Sequence, residues 1–428
     1  MGGGNGPVIA GRWRFPWISR DGRVIILAGG LRSFGAGFAV VVLGVYLGDL
    51  GLTLGQIGVF FTAGVAGSAL LTFAVGFMAG RIGLRAMFIG VTLLQAAPVA
   101  ALVLSDNAGM LAAAAFVGAI SGAAGRGPVQ PLEQASLAVA ADGRRRTDVF
   151  AVYRIVSTGG AAFGALAAGL TPVIADAFGI SSLGAQKVML VGYGGCLLAA
   201  EGLYLLVSKE AGALAAGDAG WTNPVKLKSR RTILTLTALF SVDHFAGAIL
   251  VQSLVAYWFN TRFGFELGSL AWIFFVSNGL SAISLWLAAK LADRFGLINT
   301  MVFTHIPSSL FLIAAAFAPV GWLAVVFWQA RASLSQMDVP TRDSYTMAIV
   351  APDERVAMAS IHLTGRSVAG TAGPVAATAL WQGLSAAAPF VACGVIKIAY
   401  DLSLYALFRN VRPPEETARL AREAASRR

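Results

Sequence analysis

The chain has 428 residues, of which 57% are hydrophobic and only 12% charged, and its mean hydropathy of +0.73 excludes an ordinary soluble domain. The net charge of +11 does not point to nucleic acid, because Lys and Arg gather in loops and tails between apolar runs, where the cytoplasmic bias of positive charge explains them. Cys196 and Cys393 lie inside apolar runs, and His244, His305 and His362 are scattered, so neither a disulfide framework nor a metal-ligand spacing is present.

Residues 1–22 are Gly-rich and basic and lack an apolar core with a small-residue cleavage site, which predicts a cytoplasmic tail rather than a signal peptide. Six apolar stretches follow, near 23–48, 54–79, 85–104, 109–139, 148–170 and 187–207, each about 20 residues or more, the length a helix needs to cross the hydrocarbon. The polar segment 208–231, with Lys209, Lys226, Lys228, Arg230 and Arg231, reads as a cytoplasmic linker. Six further stretches, near 232–259, 268–289, 299–318, 321–350, 357–380 and 387–408, precede a basic tail over 409–428. The prediction is an all-α membrane protein of twelve spans, with an N-terminal bundle over 23–207 and a C-terminal bundle over 232–408. Loop charge orients it: Arg81, Arg85, the Arg144 to Arg146 run, the linker, Lys290, Arg294 and Arg355 share one side, which puts both termini in the cytoplasm.

The chain also matches itself. Ala79-Gly80-Arg81-Ile82-Gly83-Leu84 aligns with Ala292-Asp293-Arg294-Phe295-Gly296-Leu297, and the register runs without gaps back to Gly51 against Gly264, the mark of an internal duplication. Gly76-x-x-x-Gly80-Arg81-x-Gly83-x-Arg85 and Ala289-x-x-x-Asp293-Arg294-x-Gly296 resemble the loop signature of the major facilitator superfamily, Gly-x-x-x-Asp-Arg-x-Gly-x-Arg/Lys, with Gly80 standing where the first loop should carry Asp. The resemblance implies a bacterial-type branch of that superfamily in an inner membrane, two pseudo-symmetric six-helix bundles, and gate loops that include Arg81, Gly83, Arg85, Asp293, Arg294 and Gly296. It also implies a central cavity lined by spans one, four, seven and ten, and hence by Arg32, Arg126, Asp243, Arg331 and Asp338.

Charges inside the spans are costly and tend to mark a pathway. Aligning Pro131 with Pro340 sets Glu133 opposite Arg342, with Asp343 one position on, and leaves Arg154 and Arg366 about one helical turn apart in register. The expected pairs are Glu133 with Arg154 and Asp343 with Arg366, either as fixed bridges or as pairs that open to a solute or a proton. Pro128, Pro131 and Pro340 are expected to kink their spans. Arg32 and Asp243 lie at nearly equivalent depth, so a bridge between them, or a cycling contact that makes Asp243 the proton carrier, is expected, with His244 as its titratable neighbour. Lys397 and Asp401 read as a structural i,i+4 pair. The seven cations and five carboxylates in this set leave a positive surplus that suits a carboxylate or phosphate solute.

The reading is therefore a secondary carrier of a small solute, leaning to organic or inorganic anions and coupled to protons. No ATP-binding loop is present, no cofactor is implied, and the expected partners are the bilayer, the solute and a proton. An enzyme is not indicated. Export of amphipathic or cationic compounds, or of a metal ion through Asp243, His244 and Asp338, is the alternative; span five lacks the Gly-Pro of the drug exporters, whereas Gly373-Pro374 lies in span eleven. A transport-inactive sensor or assembly partner is the alternative of another class.

Overall fold

The computed structural model describes residues 18–123, 127–140, 146–208, 229–350 and 354–411. Most of the 208–231 linker, the tail residues 1–17 and 412–428, and Arg126, Arg144 and Arg145 lie outside the described residues, as do the side chains of Arg81, Asp293 and Arg355. The spans are built from helices, several of them broken, and among the described residues nine helices are long and apolar enough to cross a membrane.

Span one is Arg20–Asp49, span two Leu54–Ile82, and span three joins Leu84–Ala96 to Val99–Leu104. Span four is divided into Ala108–Gly118 and Gln130–Ala140; span five is Arg146–Ala167 with Leu170–Phe178, and span six Ser182–Tyr204. In the second half, span seven is Arg230–Ile249 with Gln252–Phe263, span eight Leu267–Phe295 and span nine Leu297–Ala316. Span ten is divided into Gly321–Ala332 and Asp338–Ala348, span eleven into Arg355–Thr371 and Gly373–Gly383, and span twelve is Ala388–Phe408. Starts are capped where water reaches the backbone: Ser19 accepts from the Gly22 amide, Asn107 from Met110 and Ser181 from Gly184, each satisfying one orphan donor of a first turn. Large apolar side chains such as Leu27, Phe73, Ile155, Ile283 and Val368 are exposed, as a lipid-facing surface requires.

The duplication is visible in the backbone. Gly51 and Gly264 take φ of 80° and 68°, and Gly83 and Gly296 take 89° and 87°, a left-handed region that residues with a Cβ avoid. Each pair is related by the register of the repeat, so the same turn is made twice for the same steric reason. Arg294 lies exposed beside the second turn with its guanidinium over Phe295, and Arg85 is half-buried beside the first.

The prolines do not kink continuous helices as expected. Span four leaves its first helix after Gly118, and the described residues 119–123 and 127–129 are non-helical, with Ala119 and Gly122 at φ of 52° and 67°; Pro128 sits in the turn just before the second helix and Pro131 in the first turn of that helix. Pro340 likewise occupies the first turn of the second helix of span ten. A first-turn proline loses no intrahelical bond, because its missing N–H would be orphaned anyway.

The two bundles meet mainly on the face away from the termini. Span one packs on the second helix of span seven, span two on span eleven, and span five on span eight. Gly44 faces the Ser253 carbonyl and Gly58 faces Thr378, so closely that a Cβ on either would overlap its neighbour. The Ser253 hydroxyl donates to the Val40 carbonyl at 2.7 Å, and the Val375 amide donates to the Thr62 hydroxyl at 3.0 Å. Gly44→Val should force this seam open. A cysteine at Thr378, which is only 1% exposed, in a background lacking Cys196 and Cys393, should then gain reactivity toward a hydrophilic maleimide; an unreactive Thr378→Cys in that background would show that the seam does not depend on the glycine.

Candidate functional site

The breaks in spans four and ten fall at corresponding places of the two halves. Unwound backbone at membrane depth leaves N–H and C=O groups without helical partners, and is tolerated only where protein buries it or a cavity receives it. Beside each break lies a buried charge cluster.

In the N-terminal bundle, Glu133, in the first turn after the break, accepts from Arg32 Nη2 at 2.7 Å, from the Tyr153 hydroxyl at 2.7 Å and from the Tyr204 hydroxyl at 2.6 Å. Arg32 and Glu133 are 4% and 0% exposed, and three donors around one carboxylate are the remedy such burial requires. Gly29 makes the room: a Cβ there would stand 2.8 Å from Glu133 Oε1. The expected pairing of Glu133 with Arg154 is thus replaced. Arg154 is exposed, because the helix rotates it away from the face that Tyr153 presents to Glu133.

In the C-terminal bundle, Asp243 accepts from Lys397 Nζ at 2.5 Å and from Arg342 Nη1 at 3.3 Å, and Arg342 also donates to Asp338 at 2.9 Å. His305 Nδ1 lies 3.0 Å from Asp401, while its Nε2 faces Lys397 at 3.5 Å and Asp243 at 4.0 Å. A neutral imidazole fits, with Nδ1–H donating to Asp401 and Nε2 accepting from the ammonium. Lys397 and Asp401 therefore do not pair with each other; each reaches across to another span. Nor do Arg32 and Asp243 meet, since each is held inside its own bundle.

Compared across the repeat, the two clusters are inverted. Spans one and four are tied by an Arg on one and a Glu on four; spans seven and ten are tied by an Asp on seven and an Arg on ten. The equivalence of Glu133 and Arg342 in register is the same relation seen from span four to span ten.

The remaining expected residues lie elsewhere. Asp343 is exposed, so its expected bridge to half-buried Arg366 gives way to two imidazoles: Arg366 approaches His244 Nδ1 and His362 Nε2 at 3.4 Å each. His244 turns toward span eleven, against Gly370, and His305 takes the place beside Asp243 expected for it. Arg331 is half-buried with its guanidinium 4.6 Å over Trp328, and among the described residues no carboxylate lies within 4.0 Å of it. The sequence reading did not single out Tyr153, Tyr204 or His305 for the site, nor Glu201, a carboxylate that is 6% exposed. Polar tips on otherwise apolar spans were the available signal.

Two repeated bundles with paired broken helices and buried charge at each break define a membrane carrier. The Major Facilitator Superfamily family pattern matches residues 25–336, and the chain belongs to that superfamily. It is 21% identical over 433 residues to the Saccharomyces cerevisiae membrane protein YJR124C, covering 93% of this chain and 96% of that one. Among solved structures, the nucleoside transporter NupG superposes with a TM-score of 0.73 at 12% identity, covering 91% of this chain and 99% of its own. A bacterial homologue of the human lysosomal transporter Spinster, in an inward-facing and occupied conformation, superposes with a TM-score of 0.66 at 17% identity, covering 91% and 95%.

Proposed function

We propose that this transporter carries a small organic anion by alternating access, with the proton gradient as the driving force, in a bacterial inner membrane with both termini cytoplasmic. The observation that carries the reading is the pair of broken helices with inverted charge clusters beside them. An anion entering between the bundles meets Arg32 on one side and Arg342 on the other, each now held by a carboxylate for which the solute can compete. Arg331, with no carboxylate within reach among the described residues, adds to the positive side of the balance. With both termini cytoplasmic, the seam between the bundles on the opposite face fits a state open toward the cytoplasm.

The proton is assigned to the C-terminal cluster. Asp243 is held by two cations, whereas the His305 imidazole beside it has a ring nitrogen, Nε2, that can take up and release a proton. Facing the imidazole are Asp401, Lys397 and Tyr400 from span twelve, Asp243 from span seven and Asp338 from span ten. Protonating Nε2 sets an imidazolium against the Lys397 ammonium, so the ammonium must withdraw and the imidazolium takes its place at Asp243. That exchange loosens the tie between spans seven and twelve, which gives a proton a mechanical consequence. The three residues named for a metal do not converge: Asp243 is engaged by Lys397 and Arg342, and His244 turns to Arg366.

Purified protein in liposomes tests the reading. Labelled succinate should enter faster with an acidic exterior, and should exchange in counterflow without a gradient. Uptake of organic amines in its place would favour the export alternative, and the absence of any solute flux would favour a sensor or assembly partner.

A further inference from the structure

Spans three and six pack along one line in the N-terminal bundle. A Cβ on Gly194 of span six would stand 3.3 Å from Val99 of span three, and about two turns further along the same face Glu201 meets the Thr92 hydroxyl. Leu190, Leu197 and Ala200 are buried around this line, so a carboxyl is out of keeping with its surroundings.

Among the described residues, Glu201 also differs from the other carboxylates buried in the spans. Glu133, Asp243, Asp338 and Asp401 each have a cation or an imidazole within 4.0 Å. Glu201 is 6% exposed, yet no cation or imidazole of the described residues comes that close to it. The charged groups on the elements packed against span six are engaged elsewhere or stand at helix ends. Arg32 is held by Glu133, Asp21 by Ser208, and Asp49 by Gln186; Arg20 and Arg23 begin span one, Arg85 begins span three, and Asp176 belongs to the second helix of span five. On span six itself, Lys187 faces Asp106, and Tyr204 donates to Glu133.

An ionised carboxylate without a counter-charge is among the costliest groups a span can bury. Glu133 needs an arginine and two phenols in the same bundle, and a single threonine hydroxyl is no equivalent. The neutral acid avoids the cost and gains an O–H donor. A donor is what this contact lacks: about one turn from Thr92 on span three, Gln95 is 5% exposed and its Oε1 accepts from no group.

We infer that Glu201 binds a proton between spans three and six, a proton site of this carrier distinct from the two charge clusters and independent of the solute. Loss of that proton leaves a bare anion in the contact, which must then open enough to admit water or a cation. Position gives the proton a source. Glu201 stands about 10 Å along the chain axis from Ser208, whose amide and hydroxyl bond Asp21 at the start of span one, on the side of the termini. The site therefore couples proton activity on that side to the packing of span three on span six.

Infrared spectroscopy of the full-length protein in liposomes tests the site, because a protonated carboxyl has a C=O stretch that an ionised one lacks. The difference between wild type and Glu201→Gln at neutral pH should contain one such band, which shifts in D2O and fades reversibly as the pH is raised. Thr92→Val keeps the carboxyl and removes the hydroxyl facing it, so it should move the same band to higher frequency; it serves if the glutamine variant misfolds. Absence of a carboxyl band from both difference spectra at neutral pH would show Glu201 to be ionised and overturn the site. A band that neither shifts in D2O nor fades with rising pH would make Glu201 a fixed structural acid, and would overturn it as well. Succinate counterflow tests the solute reading separately, and its failure with the band intact leaves the proton site standing.

Discussion

Glu133→Ala is expected to destabilise the N-terminal bundle by about 3–5 kcal/mol, the range for removing one partner of a buried ion pair. The substitution strands the Arg32 guanidinium at 4% exposure and takes the acceptor from two tyrosine hydroxyls at once. Arg32→Ala should cost less, because Glu133 keeps both tyrosines at 2.7 and 2.6 Å. The double variant should lie well below the sum, since no unpaired charge then remains. Thermal or denaturant melting of the three variants in one detergent measures the coupling. Strict additivity would mean that the 2.7 Å contact carries no interaction energy.

Asp243→Asn should have an effect of similar size, and it separates a structural bridge from a proton carrier. Asp243 holds Lys397 and Arg342 together across spans seven, ten and twelve. Arg342 keeps Asp338 at 2.9 Å when Asp243 is neutralised, but Lys397 loses its closest anion and is left 3.5 Å from an imidazole. The expected result is a loss of about 3–5 kcal/mol, with pH-driven uptake and solute exchange failing together. His305→Gln should behave differently. A glutamine can still donate to Asp401 and accept from Lys397, so folding and exchange survive while the acceleration by an acidic exterior disappears. Retained pH-driven uptake in His305→Gln would remove the imidazole from the coupling step, and retained uptake in Asp243→Asn would remove the carboxylate as well.

Much of this architecture follows from local sequence. Apolar runs set the spans because the bilayer fixes the length a helix must have, and the repeat is announced by Gly51, Gly83, Gly264 and Gly296, which only a glycine-tolerant turn requires in both copies. Depth was also readable: Arg32 and Asp243 lie at nearly equivalent depth, Glu133 and Arg342 are equivalents in register, and each pair belongs to corresponding clusters of the two halves. The break in span four had a compositional signal in Gly118, Gly122, Gly127 and Pro128, whereas that in span ten, Ser333 to Met337, contains neither Gly nor Pro.

Tertiary structure alone decided which charge meets which. A helix turns about 100° per residue, so Arg154 and Tyr153, adjacent in sequence, face different surroundings, and it is the tyrosine that reaches Glu133. The partners that matter are 101 and 154 residues apart, Arg32 with Glu133 and Asp243 with Lys397, distances at which register within a repeat carries no information about side-chain direction.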